Sequence, residues 1–315
     1  MVRSDWGNDE RLPAPLPGHV VEAAALYLLR RRMVAFKGAD SCALLGATMS
    51  RAARLGSRQV ARLLEDLPER DMAVLYSVAS LRLLSARQIQ ELHFTDHATS
   101  LTAARICRRV LERLTNDRLL ARLDRRVGGI RAGSASFVYG LGPAGDRVLR
   151  DGQARRRVPE PSPTFLDHTL AVAQVAVDLR AAARRGEIEL LHLETEPACW
   201  RTVQASIAGD DRLKPDLFVA LAAKDYEYRW FVEVDRGTES STALIRKCRL
   251  YDSYYRTSHE QHRHGVFPQV LWQVDSQRRL TQLTDALRHE RRLEPELFLV
   301  VLAAETTRVL SGGQP

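Results

Sequence analysis

Two apolar runs joined by a short polar turn constrain the fold of this chain more than any other feature. The first run covers residues 217–223, the turn covers residues 224–227, and the second run covers residues 228–235. Apolar runs of this length on either side of a polar turn predict a β-hairpin. The hairpin in turn fixes which side chains share a face, because successive side chains along a strand point to opposite sides.

Three carboxylates lie around one end of the predicted hairpin. Glu233 and Asp235 are two residues apart, so they share one face of the second strand, and Asp216 directly precedes the first strand. The opposite face of the second strand is apolar: Trp230, Val232 and Val234. Carboxylates this close repel each other unless a cation lies among them, and Mg²⁺ is a natural cation because it takes oxygen ligands. The alternative is an acidic pair on the solvent face of an edge strand.

The order of these residues resembles known families. Pro215-Asp216, then Glu233-x-Asp235, then a helix carrying Lys247, resembles the PD-(D/E)XK nuclease superfamily. More narrowly, residues 233–239 followed by Lys247 and Tyr251 resemble the replication-relaxation family of actinobacterial plasmids and integrated elements. This resemblance extends over roughly residues 67–290 and implies a winged-helix-like region before a nuclease-like domain.

The resemblance also implies a catalytic site around a metal ion. Asp216 and Glu233 would bind Mg²⁺, or Mn²⁺, which lowers the pKa of a bound water and offsets charge on the scissile phosphate. Lys247 would orient the attacking water or hold a phosphate oxygen. Tyr251 lies one helical turn after Lys247 and is either the nucleophile for a covalent link to a nicked strand or an aromatic residue of the core.

Asp235 departs from the superfamily pattern, because it stands two residues after Glu233, where a Lys is usual. We therefore expect Lys247 to supply the displaced cation. Asp235 is expected either to add a metal ligand or to pair with Arg236 or Lys247. The departure also leaves open a nuclease-like fold without nuclease activity.

The composition favours a polyanionic partner in a reducing compartment. The 315 residues carry a net charge of +8, with a pI of about 9.6, and are 45% hydrophobic. These values are typical of a soluble globular protein that is long enough for two domains. The 4 cysteines include no C-x-x-C pair, which argues against a zinc ribbon or a disulfide framework. No apolar run reaches the ~18 residues of a membrane span, so we expect a cytoplasmic protein.

The N-terminal segment carries no visible chemistry. Residues 1–18 are rich in Pro, Asp, Asn and Gly and are expected to be disordered. Residues 19–64 have Ala, Leu and Arg at helical spacing. Residues 1–66 are therefore predicted to form a partly disordered or helical extension.

Residues 67–150 have the order of elements that is typical of a winged helix-turn-helix domain. Helices are predicted at residues 71–79, after the capping box Ser85–Gln88, and at residues 101–116 after a cap at Thr99 or Ser100. Two strands follow, at residues 119–123 and 136–141, on either side of a basic loop at 125–131. Between residues 68 and 150 there are 14 Arg and 8 acidic residues, so the charge is 14 − 8 = +6. A domain with this charge is suited to bind phosphates.

The third helix of this domain is predicted to be amphipathic. Its apolar stripe comprises Leu101, Ala104, Cys107, Val110, Leu111 and Leu114. In a winged helix-turn-helix this helix enters the major groove of DNA. The candidate DNA-binding residues are Thr102, Arg105, Arg108, Arg109 and Arg113 on the helix, and Arg125, Arg126 and Arg131 in the basic loop. A solvated basic face and a protein-docking module are the alternatives.

A second domain is predicted after a linker. Residues 151–164 contain prolines and charges that oppose regular structure, which indicates the linker. Residues 165–310 then predict, in order, a helix (165–184), a strand (188–193), the hairpin, a helix (240–256), a strand (270–274), a helix (276–288) and a strand (297–302). The resulting order α-β-β-β-α-β matches the PD-(D/E)XK core. The expected class is therefore α+β or α/β.

Histidines raise two further questions. His168, beside Asp167 on the first helix of the second domain, either completes the site or belongs to a helix cap formed by Asp167. His259, His262 and His264 are expected to lie in a solvated loop rather than to bind a metal.

These observations predict a DNA-binding protein that supports replication, relaxation or transfer of a plasmid or integrated mobile element by Mg-dependent nicking. Its expected partners are double-stranded DNA and the replication or transfer proteins of the same element. The alternative is a non-catalytic replication accessory or transcriptional regulator with a degenerate nuclease fold.

Overall fold

The computed structural model describes residues 2–3, 67–127, 136–149, 162–203 and 212–314. The predictions for residues 4–66, for Arg131 and for the linker at 151–161 lie outside these residues. The side chains of Arg125 and Arg126 also lie outside the description. Within the described residues the chain has a mixed α+β architecture.

The N-terminal elements build a small antiparallel sheet covered by helices. They are α1 (Glu69–Leu81), β2 (Leu83–Ser85), α2 (Ala86–His93), α3 (Ser100–Asn116), β3 (Leu120–Val127), β4 (Ser136–Leu141) and α4 (Pro143–Leu149). The label β1 is given to the strand Val2–Arg3, which is not part of this sheet. The strand order is β2-β4-β3. The predicted order of three helices and two strands is confirmed, and β2 is an additional strand.

Two helix starts in this region follow directly from the sequence. Ser85 Oγ accepts a hydrogen bond from the Gln88 backbone N–H, and the Gln88 side chain accepts one from the Ser85 N–H, as a capping box requires. Thr99 caps α3 through the Thr102 backbone N–H. Both predicted helix starts are therefore confirmed.

The predicted stripe of α3 is wrong at Leu101, which is 83% exposed. The buried side of α3 consists of Ala103, Cys107, Val110, Leu111 and Leu114. At ~100° per residue, Leu101 lies well over 90° away from this stripe, on the same side as Arg105 and Arg108. Leu101 is thus part of the exposed basic face of α3.

The C-terminal elements build a larger mixed sheet. They are α5 (Pro163–Arg184), β5 (Glu189–Thr195), β6 (Arg201–Thr202), β7 (Arg212–Leu213), β8 (Leu217–Ala223), β9 (Tyr226–Asp235), α6 (Ser241–Arg256), α7 (His259–His264), β10 (Gln269–Val274), α8 (Gln277–His289), a 3-10 turn (Pro295–Leu297), β11 (Phe298–Leu302), a 3-10 turn (Ala303–Glu305) and α9 (Thr306–Leu310). The strand order is β11-β10-β9-β8-β5, and β1 pairs with β9. The predicted order α-β-β-β-α-β is confirmed for the principal elements.

The hairpin of β8 and β9 lies at the centre of this sheet. Its turn is tighter than predicted, because β9 already begins at Tyr226 and Lys224 adopts a positive φ of 55°. Strand β9 pairs antiparallel with β8 and parallel with β10. Trp230, Val232 and Val234 face the apolar layer formed with α5, as predicted.

The continuous apolar runs are explained by helices on both faces of the sheet. Residues of α5 and α9 pack on one face, and residues of α6 and α8 pack on the other. Strands buried on both faces have near-continuous hydrophobic runs rather than strict alternation. Glu233 and Asp235 therefore lie in the interior, beneath α6 and α8, and not on a solvent face.

Helix α5 belongs to the cores of both regions. Its residues Ala173 and Val177 are buried in the N-terminal core, whereas Val175 and Leu179 are buried against the larger sheet. The Gln88 side chain of α2 also donates a hydrogen bond to the Leu170 carbonyl at 2.8 Å. The helix begins earlier than predicted, since α5 starts at Pro163 and is capped by Ser162 rather than Asp167.

Within the described ranges, no helix combines the length and apolar character that crossing a membrane requires.

Candidate functional site

Glu233 is the centre of a buried polar cluster at the end of β9. Its residue exposure is only 1%. The Tyr251 hydroxyl donates to Glu233 Oε1 at 2.6 Å, and the Lys247 ammonium donates to Oε2 at 2.5 Å. Lys247 and Tyr251 lie one turn apart on α6, which begins at the Ser240 cap, so a single helix face supplies both donors.

Asp216 approaches the same cluster from the start of β8. Its Oδ2 accepts a hydrogen bond from the Val234 backbone N–H at 2.7 Å, and its Oδ1 lies 3.0 Å from His168 Nε2. The Cys199 thiol, buried behind this segment, donates to the Pro215 carbonyl at 3.0 Å. The structure thus places Asp216, Glu233 and Lys247 in one cluster, with His168 of α5 beside Asp216.

The electrostatics of this cluster centre on Glu233. Burial raises the pKa of Glu233, Lys247 and Tyr251 lower it, the nearby Asp216 carboxylate raises it, and together these effects bring it to about 7. Burial lowers the pKa of Lys247, but Glu233 and Asp216 outweigh this effect and raise it above its ordinary value. The hydrogen bond to Asp216 likewise raises the pKa of His168. Lys247 and His168 therefore place positive charge beside the two carboxylates, and burial keeps the pKa of Glu233 above its ordinary value.

Tyr251 is not placed as a nucleophile. Its side chain is fully buried, and its hydroxyl is occupied by Glu233. Burial and the Glu233 carboxylate raise the pKa of this hydroxyl well above its ordinary value, which opposes formation of the phenolate. The structure thus favours the alternative interpretation, an aromatic residue of the core, with the added role of orienting Glu233.

Asp235 shares the face of Glu233 but has different partners from those expected. Its Oδ1 accepts a hydrogen bond from the Gly237 N–H at 2.9 Å, and its Oδ2 forms a short ion pair with Arg279 Nε of α8. Arg279 also donates to the Glu239 carbonyl at 2.7 Å. The predicted pairing with Arg236 or Lys247 is wrong, because Asp235 holds the β9–α6 turn against α8.

Arg279 was missed in the sequence because it is distant in the chain from Asp235. The signal that identifies it is the Ser276 cap, which puts Arg279 in the first turn of α8. Strand β10 runs parallel to β9, so the helix after β10 begins beside the end of β9. The strand order is needed in addition to this cap, because it alone places the start of α8 beside the end of β9.

The donors of this cluster bear on whether it can hold a metal ion. In the part of the chain that the structure describes, no group of three or more His, Cys, Asp or Glu side chains is arranged to hold a metal ion. The four carboxylate oxygens of Asp216 and Glu233 each already have a protein partner. However, Mg²⁺ commonly takes one or two carboxylates and completes its shell with water. Asp216 and Glu233 thus offer the donor type that a divalent ion takes, and such an ion would have to replace hydrogen bonds that these oxygens now accept.

The candidate DNA-binding residues of α3 divide into two groups. Thr102, Arg105, Arg108 and Arg109 are exposed on one face, together with Leu101. Arg113 instead forms a short ion pair with Asp71, a fully buried residue of α1. Arg113 therefore ties α3 to α1, while its side chain remains 46% exposed, and its assignment to a DNA-binding face stays a prediction.

A second buried glutamate lies in the segment predicted to be a histidine-rich loop. The residues form the short helix α7, and Glu260 is 1% exposed. Glu260 Oε1 accepts hydrogen bonds from the Tyr254 hydroxyl at 2.8 Å and from Arg201 at 2.9 Å. Glu260 is therefore the centre of a buried structural cluster, which the polar sequence around it did not indicate.

Comparisons with known proteins identify the family of the chain. No curated protein and no solved structure gives a match. Residues 75–270 match the family described as replication-relaxation, so the match runs from α1 to the first residues of β10 and includes Asp216, Glu233, Lys247 and Tyr251. Because this match covers more than half of the 315 residues, the chain belongs to the replication-relaxation family.

Proposed function

We propose that this protein binds the double-stranded DNA of a plasmid or integrated mobile element and nicks one strand in support of its replication, relaxation or transfer. Membership of the replication-relaxation family supports a role in replication or relaxation of such elements. Replication or transfer proteins of the same element are its proposed partners.

The convergence of Asp216, Glu233 and Lys247 carries the catalytic part of the proposal. These residues come from the start of β8, the end of β9 and the middle of α6, and the Lys247 ammonium lies 2.5 Å from Glu233. Acidic residues on adjacent strands with a lysine over them correspond to the site that the PD-(D/E)XK resemblance implies. The order α-β-β-β-α-β supports the same fold assignment.

The residues of the site have distinct proposed roles. Asp216 and Glu233 would hold Mg²⁺ or Mn²⁺, which supplies a water of lowered pKa and stabilises charge on the phosphate. Lys247 remains charged and binds a phosphate oxygen or orients the attacking water. Tyr251 fixes the rotamer of Glu233 through its hydrogen bond.

The N-terminal region supports the DNA-binding part of the proposal. Its helices and its sheet of order β2-β4-β3 support the proposal of a winged helix-turn-helix, in which α3 would enter the major groove. The exposed face of α3 carries Arg105, Arg108 and Arg109, which suit phosphates and guanine edges. Leu101, on the same face, suits contact with a thymine methyl group.

Nicking of supercoiled plasmid DNA with Mg²⁺ or Mn²⁺ tests the catalytic proposal. We expect the wild type to produce open circles and Asp216→Asn to produce none. Asp252→Asn is a matched control, because Asp252 is also a buried carboxylate, but it binds Arg256 and the Glu294 N–H elsewhere on α6. The control is expected to retain nicking.

Salt-dependent binding to duplex DNA tests the role of α3. The double variant Arg105→Gln/Arg109→Gln should lower the slope of log affinity against log salt by roughly 0.9 for each DNA phosphate that the variant no longer neutralises. The matched control Arg288→Gln removes an exposed arginine of α8 and should leave the slope unchanged. Fluorescence anisotropy of a labelled duplex measures both.

A second candidate function is a DNA-binding accessory or regulator without catalysis. One observation favours it: Asp235, at the position usual for the catalytic lysine, is bound to Arg279 as a structural residue. Duplex binding without nicking at any tested metal would select this candidate over the nuclease.

A further inference from the structure

A pocket beside Asp216 lies between the two regions of the chain. It has a volume of about 230 Å³. Its walls include Leu81, Arg82, Phe165, His168, Val172 and Asp216. Leu81 is the last residue of α1, Arg82 directly follows it, and the next three residues belong to α5. The pocket therefore opens directly onto the carboxylate that His168 contacts.

One wall of this pocket offers a flat aromatic surface. Phe165, in the first turn of α5, is 41% exposed, so part of its ring is accessible to a ligand. The Arg82 guanidinium lies 6.0 Å from the centroid of the Phe165 ring. An aromatic face with a cation beside it is the kind of platform on which nucleic-acid bases stack.

The pocket is held in shape by contacts between the two regions. Arg82 forms an ion pair of 2.9 Å with Glu196, which follows β5. The Thr195 hydroxyl donates to the Ser80 carbonyl at 2.8 Å. These two contacts join the end of α1 to the end of β5, so the pocket exists only where both regions meet.

We propose that this pocket takes one unpaired nucleobase of the DNA strand that is cut, stacked on Phe165. The inference rests on the proposed function and names its substrate more closely. Neighbouring carboxylates of Glu196 and Asp216 would repel a phosphate in the pocket, but they accept hydrogen bonds from the amino groups of a base. The volume is smaller than the roughly 300–1,000 Å³ of pockets for larger ligands, which suits a single base and excludes a base pair.

The position of the pocket defines how a base would serve the site. A base held beside His168 brings its own phosphate towards Asp216 and Glu233. A base that is already unpaired enters without first leaving its stack, so a bulge or a melted segment is a better substrate than a perfect duplex. The substrate class is therefore DNA that is locally unpaired at the cleavage position.

Binding to bulged DNA tests this inference without catalysis. The probes are two fluorescein-labelled duplexes, one with a single bulged deoxycytidine, whose base has an amino group, and one with an abasic site at the same bulge, in EDTA. We expect full-length wild type to bind the deoxycytidine bulge about tenfold more tightly, the order that one base–aromatic stack contributes. Phe165→Ala and Phe165→Leu should reduce this ratio to about one, and Phe165→Tyr should retain it.

Leu191→Ala is the matched control, since Leu191 on β5 is a comparably exposed apolar residue at 39% and lies outside the pocket wall. It should keep the wild-type ratio. Equal ratios for wild type and both Phe165 truncations would overturn the inference. The proposed function would survive that result if the same wild-type protein bound duplex and nicked plasmid, whereas failure to bind any DNA would overturn both.

Discussion

Two buried glutamates of the C-terminal region have similar surroundings but different expected roles, one functional and one structural. Glu233 and Glu260 are each 1% exposed, and each accepts a hydrogen bond from a tyrosine of α6, Tyr251 or Tyr254. Each also has a cation, Lys247 for Glu233 and Arg201 for Glu260. The residue types at the two centres are thus nearly the same.

The difference lies in the neighbours of the cation. Arg201 also binds Glu194 at 3.1 Å and lies 4.9 Å from the centroid of the Phe218 ring, so it is fixed on several sides. Lys247 has a side chain that is 29% exposed, and its partner Glu233 faces a second carboxylate, Asp216. A tyrosine and a cation on a glutamate are therefore not enough to indicate a functional site. The exposure of its cation distinguishes Glu233, since the Lys247 side chain is 29% exposed and the Arg201 side chain is 12% exposed.

Removal of each carboxylate gives the largest expected contrast. Glu233→Gln should lower the nicking rate at least ~100-fold, because the site loses a charged oxygen donor for the ion. Glu260→Gln should leave the rate per folded molecule nearly unchanged. Plasmid nicking, normalised to the folded fraction by circular dichroism, measures both. Equal losses would remove the functional distinction between the two glutamates.

We expect the effects of the same two variants on stability to have the opposite order, with the larger loss in Glu260→Gln. Glu260→Gln breaks a buried ion pair and should lower the free energy of unfolding by about 3 kcal/mol. Glu233→Gln removes a charge that burial and Asp216 oppose, so its loss should be smaller. Urea unfolding at pH 8 measures both values. A larger loss for Glu233→Gln would show that Lys247 stabilises the fold more than the raised pKa of Glu233 indicates.

The stability of the wild type should depend on pH through Glu233. Its pKa of about 7 in the folded protein lies above the ordinary value of 4.5, so the folded state binds more protons between these values. Stability therefore falls as pH rises from about 4.5 to about 7, by up to ~3 kcal/mol relative to Glu233→Gln. The raised pKa of Lys247 has no effect in this window, because both states keep that group charged until above pH 10.

Urea unfolding of wild type and Glu233→Gln at intervals from pH 4.5 to pH 8 measures this dependence. The difference between the two proteins is the quantity to follow, since other groups titrate in both. A difference that stays constant with pH would contradict the raised pKa.

The two tyrosines give the smallest and most discriminating contrast. Tyr251→Phe and Tyr254→Phe each remove one hydroxyl donor from a buried glutamate, so each should cost about 1–3 kcal/mol of stability. Only Tyr251→Phe should affect nicking, and by a modest factor, since it loosens Glu233. Complete loss of nicking in Tyr251→Phe, with Glu233 still able to bind Mn²⁺, would instead restore the covalent role.

Local rules predicted the elements well, whereas long-range contacts were beyond them. The Ser85 capping box and the alternation in β9 each depend on residues that are close in the chain, so both could be predicted from the sequence. The partner of Asp235 depends on the strand order, and the burial of Glu260 depends on how α7 packs, so neither is visible locally. Leu101 was misassigned because the apolar stripe was followed from the wrong first residue.

The candidate site was predictable in part for the same reason. Asp216, Glu233 and Lys247 were found through residue order and family resemblance, which encode chain-distant relationships. His168 was noted but could not be assigned, because its contact with Asp216 depends on how α5 crosses the sheet. The ion pair of Arg113 could not be predicted either, because its buried partner, Asp71, lies on another helix.

Because α5 is part of both cores, the two regions act as one mechanical unit. Ala173 of this helix packs in the N-terminal core, and Leu179 packs against the larger sheet. His168 lies on the same helix, little more than one turn before Ala173. A force that bound DNA exerts on the α2 side would therefore be transmitted to Asp216 without any hinge. Cutting the chain between the regions would expose to solvent an apolar surface on each fragment.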